Sequence, residues 1–300
     1  MARNQVPAAF AAACLGIAFY AVMDAVMKAV SIEIGAYNML VWRIGVAVLL
    51  TGGLYAFTRP ALPARSTMKV HFGRSILVAA MASSFFWGIV RVPLAEAIAL
   101  SFIAPLIALG LAALFLKERI GAQSLWGSLI GLGGVAVVVA GRIGGTHSHE
   151  TVLGMAAVLF SAVVYAANLV VARHQAQLAR PLEIAFFQNL FVLGLLGLAA
   201  PWWLAVPAAE HWPGIGAAAL LAIVSLLLLS WAYARAEAQV LVSVEYTAFI
   251  WASLMGWWIF GEKLTAATIA GTLLIVAGCL IAARRQGGRG AAPEAETVLP

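Results

Sequence analysis

Residues 115–134, FLKERIGAQSLWGSLIGLGG, and residues 260–278, FGEKLTAATIAGTLLIVAG, decide the architecture. Each closes an apolar run with an acidic residue beside a basic one, Glu118-Arg119 and Glu262-Lys263, and each carries glycines into the next apolar run. At a shift of 144 residues Glu118, Ala122, Gly127, Leu129 and Gly134 fall on Glu262, Ala266, Gly271, Leu273 and Gly278. Seven of 42 positions are identical between 101–142 and 245–286, a figure that biased composition nearly reaches. The acidic helix exit followed by glycines in register is what makes the match a repeat. Further back, Trp87 and Arg91 meet Trp231 and Arg235 at the same shift, and Tyr20-Ala21 meets Tyr165-Ala166 at 145.

Around this repeat the composition leaves one solvent. Of 300 residues 64% are hydrophobic and 10% charged, against roughly 25% charged in soluble domains. So few charges cannot coat a globule of this length, and a soluble fold is excluded. The formal charge of +6 would elsewhere suggest nucleic acid, but the Lys and Arg are scattered as short groups between apolar runs. No nucleic-acid partner is expected; the partners are a lipid bilayer and a small-molecule substrate. Cys14 and Cys279 both lie inside apolar runs, so no disulfide framework follows. No Walker loop and no HExxH motif is present. His71, His147, His149, His174 and His211 read as loop or helix-end residues, and His147-Ser148-His149 as a solvated loop rather than a metal site. No cofactor, no metal and no catalytic constellation within the apolar runs is expected, so the chain does not read as an enzyme.

A helix rises about 1.5 Å per residue, so about 20 mainly apolar residues cross roughly 30 Å of hydrocarbon. Ten such stretches lie near 7–30, 36–57, 70–90, 95–116, 121–141, 150–173, 181–200, 213–235, 240–260 and 265–284. All must be helical, since an open strand edge leaves its backbone unsatisfied in lipid. Residues 201–213, with Trp202, Trp203 and Trp212, read as an interfacial loop with aromatic anchors. Ala11-Ala12-Ala13-Cys14 imitates a lipoprotein cleavage site, but the apolar run continues past it, and span 1 reads as retained. With both termini cytoplasmic, thirteen Lys and Arg fall inside, four fall outside, and Arg43 lies within span 2. That asymmetry sets the orientation expected of a multi-pass protein of a bacterial inner membrane.

Five spans per half is an odd number, so the second half enters the membrane from the opposite side. The expected fold is therefore an all-α membrane protein of ten transmembrane helices in two inverted five-helix repeats, 1–145 and 146–285, followed by a disordered cytoplasmic tail, 286–300. Two such halves can exchange conformations, which is how alternating access arises. The same repeat would also follow from duplication in a channel or a membrane enzyme.

The helix-exit pattern Phe115-Leu116-Lys117-Glu118-Arg119-Ile120 before Gln123 and Gly127, its counterpart Phe260-Gly261-Glu262-Lys263-Leu264 before Gly271, Trp42-Arg43 in span 2 and Ala104-Pro105 in span 4 together resemble the drug/metabolite transporter superfamily. Within it the chain resembles the EamA-type ten-helix transporters, and most of all the YddG-type amino-acid exporters, over about residues 7–285. The second half departs from the pattern at Phe249, where the family's proline would stand, and at Gln188, where the first half has Arg43. The resemblance implies a secondary transporter that exports small metabolites, amino acids among them. A proton-coupled antiporter of drugs or organic cations is the alternative.

Intramembrane charges cost about 2.5–3.5 kcal/mol at mid-helix, so they face protein or a wet cavity. Asp24 in span 1 and Arg43 in span 2 share one depth near the outer side. Arg43 either anchors a substrate carboxylate or neutralises Asp24, and Asp24 either couples to protons or forms an i,i+4 pair with Lys28. At the opposite depth lie Asn168, Gln188 and Glu245. Glu245, with no basic residue within a turn, is the second coupling candidate, unless it is hydrated near the inner surface. Asn168 and Gln188 either read a ligand or tie helices together. Tyr20, Trp87, Phe102, Tyr165, Trp231, Tyr246 and Phe249 stand in spans that the resemblance places around a cavity, where aromatic walls suit planar substrates. Spans 5 and 10 bear Gly127, Gly131 and Gly134, and Gly271 and Gly278, and read as packing or homodimer helices. A reporter that fluoresces only in the cytoplasm is expected to light up when fused after Pro300 and to stay dark when inserted within 201–213. The reverse pattern would invert the topology.

Overall fold

The computed structural model describes residues 6–58, 62–104, 106–107, 111, 122–143, 149–175, 178–233, 244 and 246–283. Ten principal helices run through them: α1 (Val6–Ile34), α2 (Ala36–Phe57), α3 (Arg65–Ile89), α4 (Leu94–Ser101), α5 (Ala122–Ile143), α6 (His149–Gln175), α7 (Pro181–Gly197), α8 (Trp212–Tyr233), α9 (Ala248–Phe260) and α10 (Ala266–Ala283). Among the described residues five segments are long and apolar enough to cross a bilayer alone, Ala8–Ile34, Ala36–Phe57, Arg65–Ile89, His149–Leu169 and Ala209–Leu229. Trp126–Gly141, Pro181–Gly197, Ala248–Phe260 and Ala266–Gly278 are shorter apolar helices. Glu118, Pro105 and Glu245 lie outside the described residues, as does the tail 286–300.

Breakers set the turns. Gly35, at φ +86°, separates α1 from α2, and Gly261, at φ +63°, ends α9. Both conformations disfavour residues with a Cβ. Pro93 and Pro181 stand at the starts of α4 and α7, where a missing N–H costs nothing. The end of the bundle where α1 begins is called the near end below. Gly35, residues 90–93, residues 198–211 and residues 261–265 lie at the far end.

The packing has the two-fold pattern that the repeat requires. Helices α2 and α7, α4 and α9, and α5 and α10 each pack on their own counterpart. Other contacts occur in exchanged pairs: α1 with α8 is matched by α6 with α3, α2 with α8 by α7 with α3, and α1 with α9 by α6 with α4. Each half therefore completes the other. Met27, Met39, Leu40, Ile89, Val158 and Ile215, drawn from five helices of both halves, share one core cluster.

Polarity is distributed for lipid. Leu49, Leu54, Phe57, Trp126, Leu227 and Trp258 face outward, while Lys28, His71, Glu96, Asn168 and Gln175 are buried. A water-soluble protein shows the opposite arrangement.

The α5–α10 pair is the closest approach. A Cβ on Gly134 would stand 2.6 Å from the Gly271 carbonyl oxygen, and one on Gly271 would stand 2.6 Å from the Gly134 carbonyl oxygen. A Cβ on Gly278 would meet the Gly127 carbonyl oxygen at 2.5 Å. The 144-residue shift maps the first contact onto the second. These glycine faces are consumed within the chain, so the small-residue stripe itself is not a free surface for a second copy. Gly134→Ala is expected to destabilise by about 1–3 kcal/mol through backbone overlap. Gly133→Ala, where a Cβ would meet nothing within 4 Å, is expected to leave the melting temperature unchanged or raised. An unaffected Gly134→Ala would rule out this contact.

Candidate functional site

Three groups of polar side chains interrupt the apolar interior, one near each end and one between. At the far end Lys28 of α1 donates to the Val92 carbonyl at 2.7 Å and pairs with Glu262. Its ammonium also lies 5.0 Å from the Phe260 ring centroid. The other Glu262 oxygen accepts the Leu94 N–H at 2.7 Å, satisfying one of the orphan donors at the start of α4 where the helix dipole favours negative charge. Glu96, in the first turn of α4, accepts from Thr268 at 2.9 Å. One carboxylate thus joins α1, α4 and the α9–α10 link. The fold-back depends on Gly256, where a Cβ would come within 2.5 Å of the Glu262 carboxylate. Of the two alternatives for Asp24, the i,i+4 pairing with Lys28 is not formed; the lysine turns instead to Glu262 and the Val92 carbonyl.

Deeper in the bundle, Asp24 of α1 and Arg43 of α2 interact electrostatically with each other and with Tyr20. The Arg43 Nε is buried with no hydrogen-bond partner, and its guanidinium carbon lies 5.7 Å from the Phe86 ring centroid. All three side chains of this cluster keep partial exposure at mid-helix. The neighbouring Trp42 instead ties the α7–α8 link, donating to the Ala205 carbonyl at 2.8 Å and lying edge-on to Trp212.

The third group contains Asn168, a candidate from the sequence, but its other members are not among the candidates. His71 sits on α3, fully buried and stacked on Phe187 at 5.4 Å, contrary to its reading as a loop or helix-end residue. Its Nε2 lies 3.1 Å from the Glu183 carboxylate and its Nδ1 lies 2.5 Å from the Gln175 amide nitrogen. Arg74 donates through Nη1 to the Gln175 oxygen at 2.5 Å and through Nε to the Asn168 oxygen at 2.9 Å. Guanidinium groups only donate and carboxylates only accept, so the chain has one polarity: Arg74 to Gln175, Gln175 to His71 Nδ1, His71 Nε2–H to Glu183. This polarity assigns the neutral Nε2–H tautomer to His71. The relay joins α3, α6 and α7 at the near end. Arg74 counts as a topology charge in sequence, and the i,i+3 spacing of His71 and Arg74 on one helix face was the available signal.

The aromatic candidates divide. Phe102 and Tyr246 meet edge to face at 5.3 Å between α4 and α9. Tyr165 is partly exposed and within electrostatic reach of Arg74. Trp87 carries the Arg91 guanidinium at 3.5 Å, and Arg91 reaches Glu150 at 2.7 Å, so that ring belongs to a far-end clasp. Trp231 is partly exposed. Phe249 is half-buried on α9, and Gln188 meets the near-end group through its backbone carbonyl, a weak 3.5 Å contact from Ser75. Among the described residues no group of three or more His, Cys, Asp or Glu side chains could hold a metal ion.

An all-helical, lipid-facing bundle of two exchangeable halves, with charged groups enclosed at several depths, is the architecture of a membrane transporter. The chain belongs to the EamA-like transporter family, which matches residues 8–140 and again residues 152–284. It is a multi-pass membrane protein and not an enzyme. It is 27% identical over 274 residues to the pseudopaline exporter CntI of Pseudomonas aeruginosa (strain UCBPP-PA14), covering 90% of this chain and 93% of that one. It is 27% identical over 203 residues to an uncharacterized transporter of Helicobacter pylori (strain J99), covering 66% of this chain and 68% of that one. A solved crystal structure matches with a TM-score of 0.59 at 21% identity, over 94% of this chain and 97% of that one. That likeness shows the fold.

Removing one partner of a buried ion pair costs about 3–5 kcal/mol, because the other charge is left uncompensated. Glu262→Gln and Lys28→Met are each expected to lower thermal stability in detergent, and the double variant to lose less than the two losses added. Strict additivity in that cycle would show that the two side chains are not coupled.

Proposed function

We propose that this chain is a bacterial inner-membrane exporter of small zwitterionic metabolites, amino acids and aromatic ones among them, working by alternating access with both termini in the cytoplasm. The observation that carries this reading is the Asp24–Arg43 pair. Opposite charges face one another inside the bundle, neither makes a side-chain hydrogen bond among the described residues, and Arg43 keeps a buried donor unpaired. Leaving such groups unsatisfied is costly, and an α-amino acid supplies the missing carboxylate and ammonium together. Tyr20, Phe86, and the Phe102–Tyr246 pair add aromatic surface suited to a planar side chain. The family membership and the exporter named among the relatives support export of a metabolite. In this reading Asn168, Gln188, Trp87, Tyr165, Trp231, Glu245 and Phe249 remain substrate-path residues, and Asp24 and Glu245 the proton-coupling candidates.

The second reading, a proton-driven antiporter of organic cations, rests on the same Asp24 carboxylate, which makes no side-chain hydrogen bond among the described residues. A homodimer through α5 and α10 would use their outward faces, with Trp126, Leu129 and Leu273 exposed there. Purified protein in liposomes is expected to show saturable amino-acid counterflow, reduced about tenfold or more by Arg43→Gln, in line with the loss of a charged hydrogen bond. Flux of organic cations that requires a proton gradient and disappears in Asp24→Asn would replace this reading with the second. An absence of saturable flux for both substrate classes would end both.

A further inference from the structure

Among the described residues, Lys28, Arg43 and Arg91, buried or half-buried, each face a carboxylate, and the half-buried Arg74 is the exception. Lys28 has Glu262, Arg43 has Asp24, and Arg91 has Glu150. Arg74 has none: among the described residues its hydrogen-bond acceptors are the amide oxygens of Asn168 and Gln175, and the titratable neighbour within electrostatic reach is Tyr165. Two neutral oxygens fix the direction of a guanidinium without cancelling its charge. A positive charge within a membrane-spanning helix, partly enclosed and uncompensated, is costly until an anion joins it.

We infer that Arg74 is a second substrate-carboxylate site, placed at the near end so that it meets the substrate before Arg43 does. This rests on the export reading above and specifies its entry step. Three features make the site a built one. Arg74 is held through Nε and Nη1 by Asn168 and Gln175, both buried, while Nη2 has no hydrogen-bond partner among the described residues. The Gln175 amide cannot turn without breaking its bond to His71 Nδ1, and His71 is in turn held by Glu183 and the Phe187 ring. Tyr165, partly exposed on the same helix as Asn168, adds an aromatic wall beside the charge. A single guanidinium held by two neutral amides suits a monoanionic carboxylate; a phosphate dianion would demand a second cation. Passage from Arg74 to Arg43 keeps the carboxylate paired at two depths of the path.

Equilibrium binding to the purified full chain in nanodiscs separates the possibilities, using phenylalanine, phenylacetate, which lacks the ammonium, and phenethylamine, which lacks the carboxylate. Arg74→Gln is expected to weaken phenylalanine and phenylacetate about tenfold or more, as for one lost charge-assisted hydrogen bond, and to leave phenethylamine unchanged. Gln175→Glu, nearly the same shape, sets a carboxylate against Arg74 and is expected to give the same selective loss if Arg74→Gln does not fold. Phenylalanine binding unaltered in both variants, an equal loss of all three ligands, or no carboxylate binding to the unsubstituted protein overturns the site. Arg74-dependent binding of phenylacetate together with no amino-acid flux in liposomes would keep the site and overturn the export of amino acids.

Discussion

The backbones of α5 and α10 touch at Gly134 and Gly271 and again at Gly127 and Gly278, and the internal symmetry of the bundle is built on that contact. In lipid there is no hydrophobic force between apolar helices, so close van der Waals approach has to supply the association. Only residues without a Cβ permit carbonyl oxygens to come that near. Because the repeat carries the first contact onto the second, the pair is its own counterpart. Around it the remaining helices fall into exchanged pairs, α1 on α8 and α6 on α3.

Polar side chains complete what glycine packing begins. A carboxylate in the interior is tolerable when it holds several donors at once, and Glu262 holds an ammonium and the first N–H of α4. Glu183, through His71 and Gln175, does the equivalent for α3, α6 and α7 at the opposite end. Between these two ties, Asp24 and Arg43 have no comparable set of partners. Polar ties are thus concentrated near the ends, and the Arg43 Nε between them is left without a hydrogen-bond partner.

Much of the fold was legible in the chain itself because periodicity in a bilayer is unforgiving: an apolar run of sufficient length has to be a helix. The glycine register, the acidic exit at Glu262 and the nearness of Asp24 to Arg43 are readable at that level. Glu262 was recognised as a repeat marker but not as the partner of Lys28, since 234 residues separate them and only packing brings α9 back onto α1. The polar partners of His71 and Arg74 are illegible in the sequence for a related reason. Near a helix start these two residues are indistinguishable from interfacial charges until α6 and α7 are seen to close over them.

The order of apolar runs, their odd number per half and the registered glycines determined by themselves that this is an inverted-repeat membrane protein, because each follows from hydropathy and chain direction alone. Which charge pairs with which was decided only by the tertiary structure. Partners come from helices distant in sequence, and a short-range interaction between side chains is defined by distances in space that no linear pattern contains. Lys28 turning to Glu262, and Arg74 left to two neutral amides, are both outcomes of that kind.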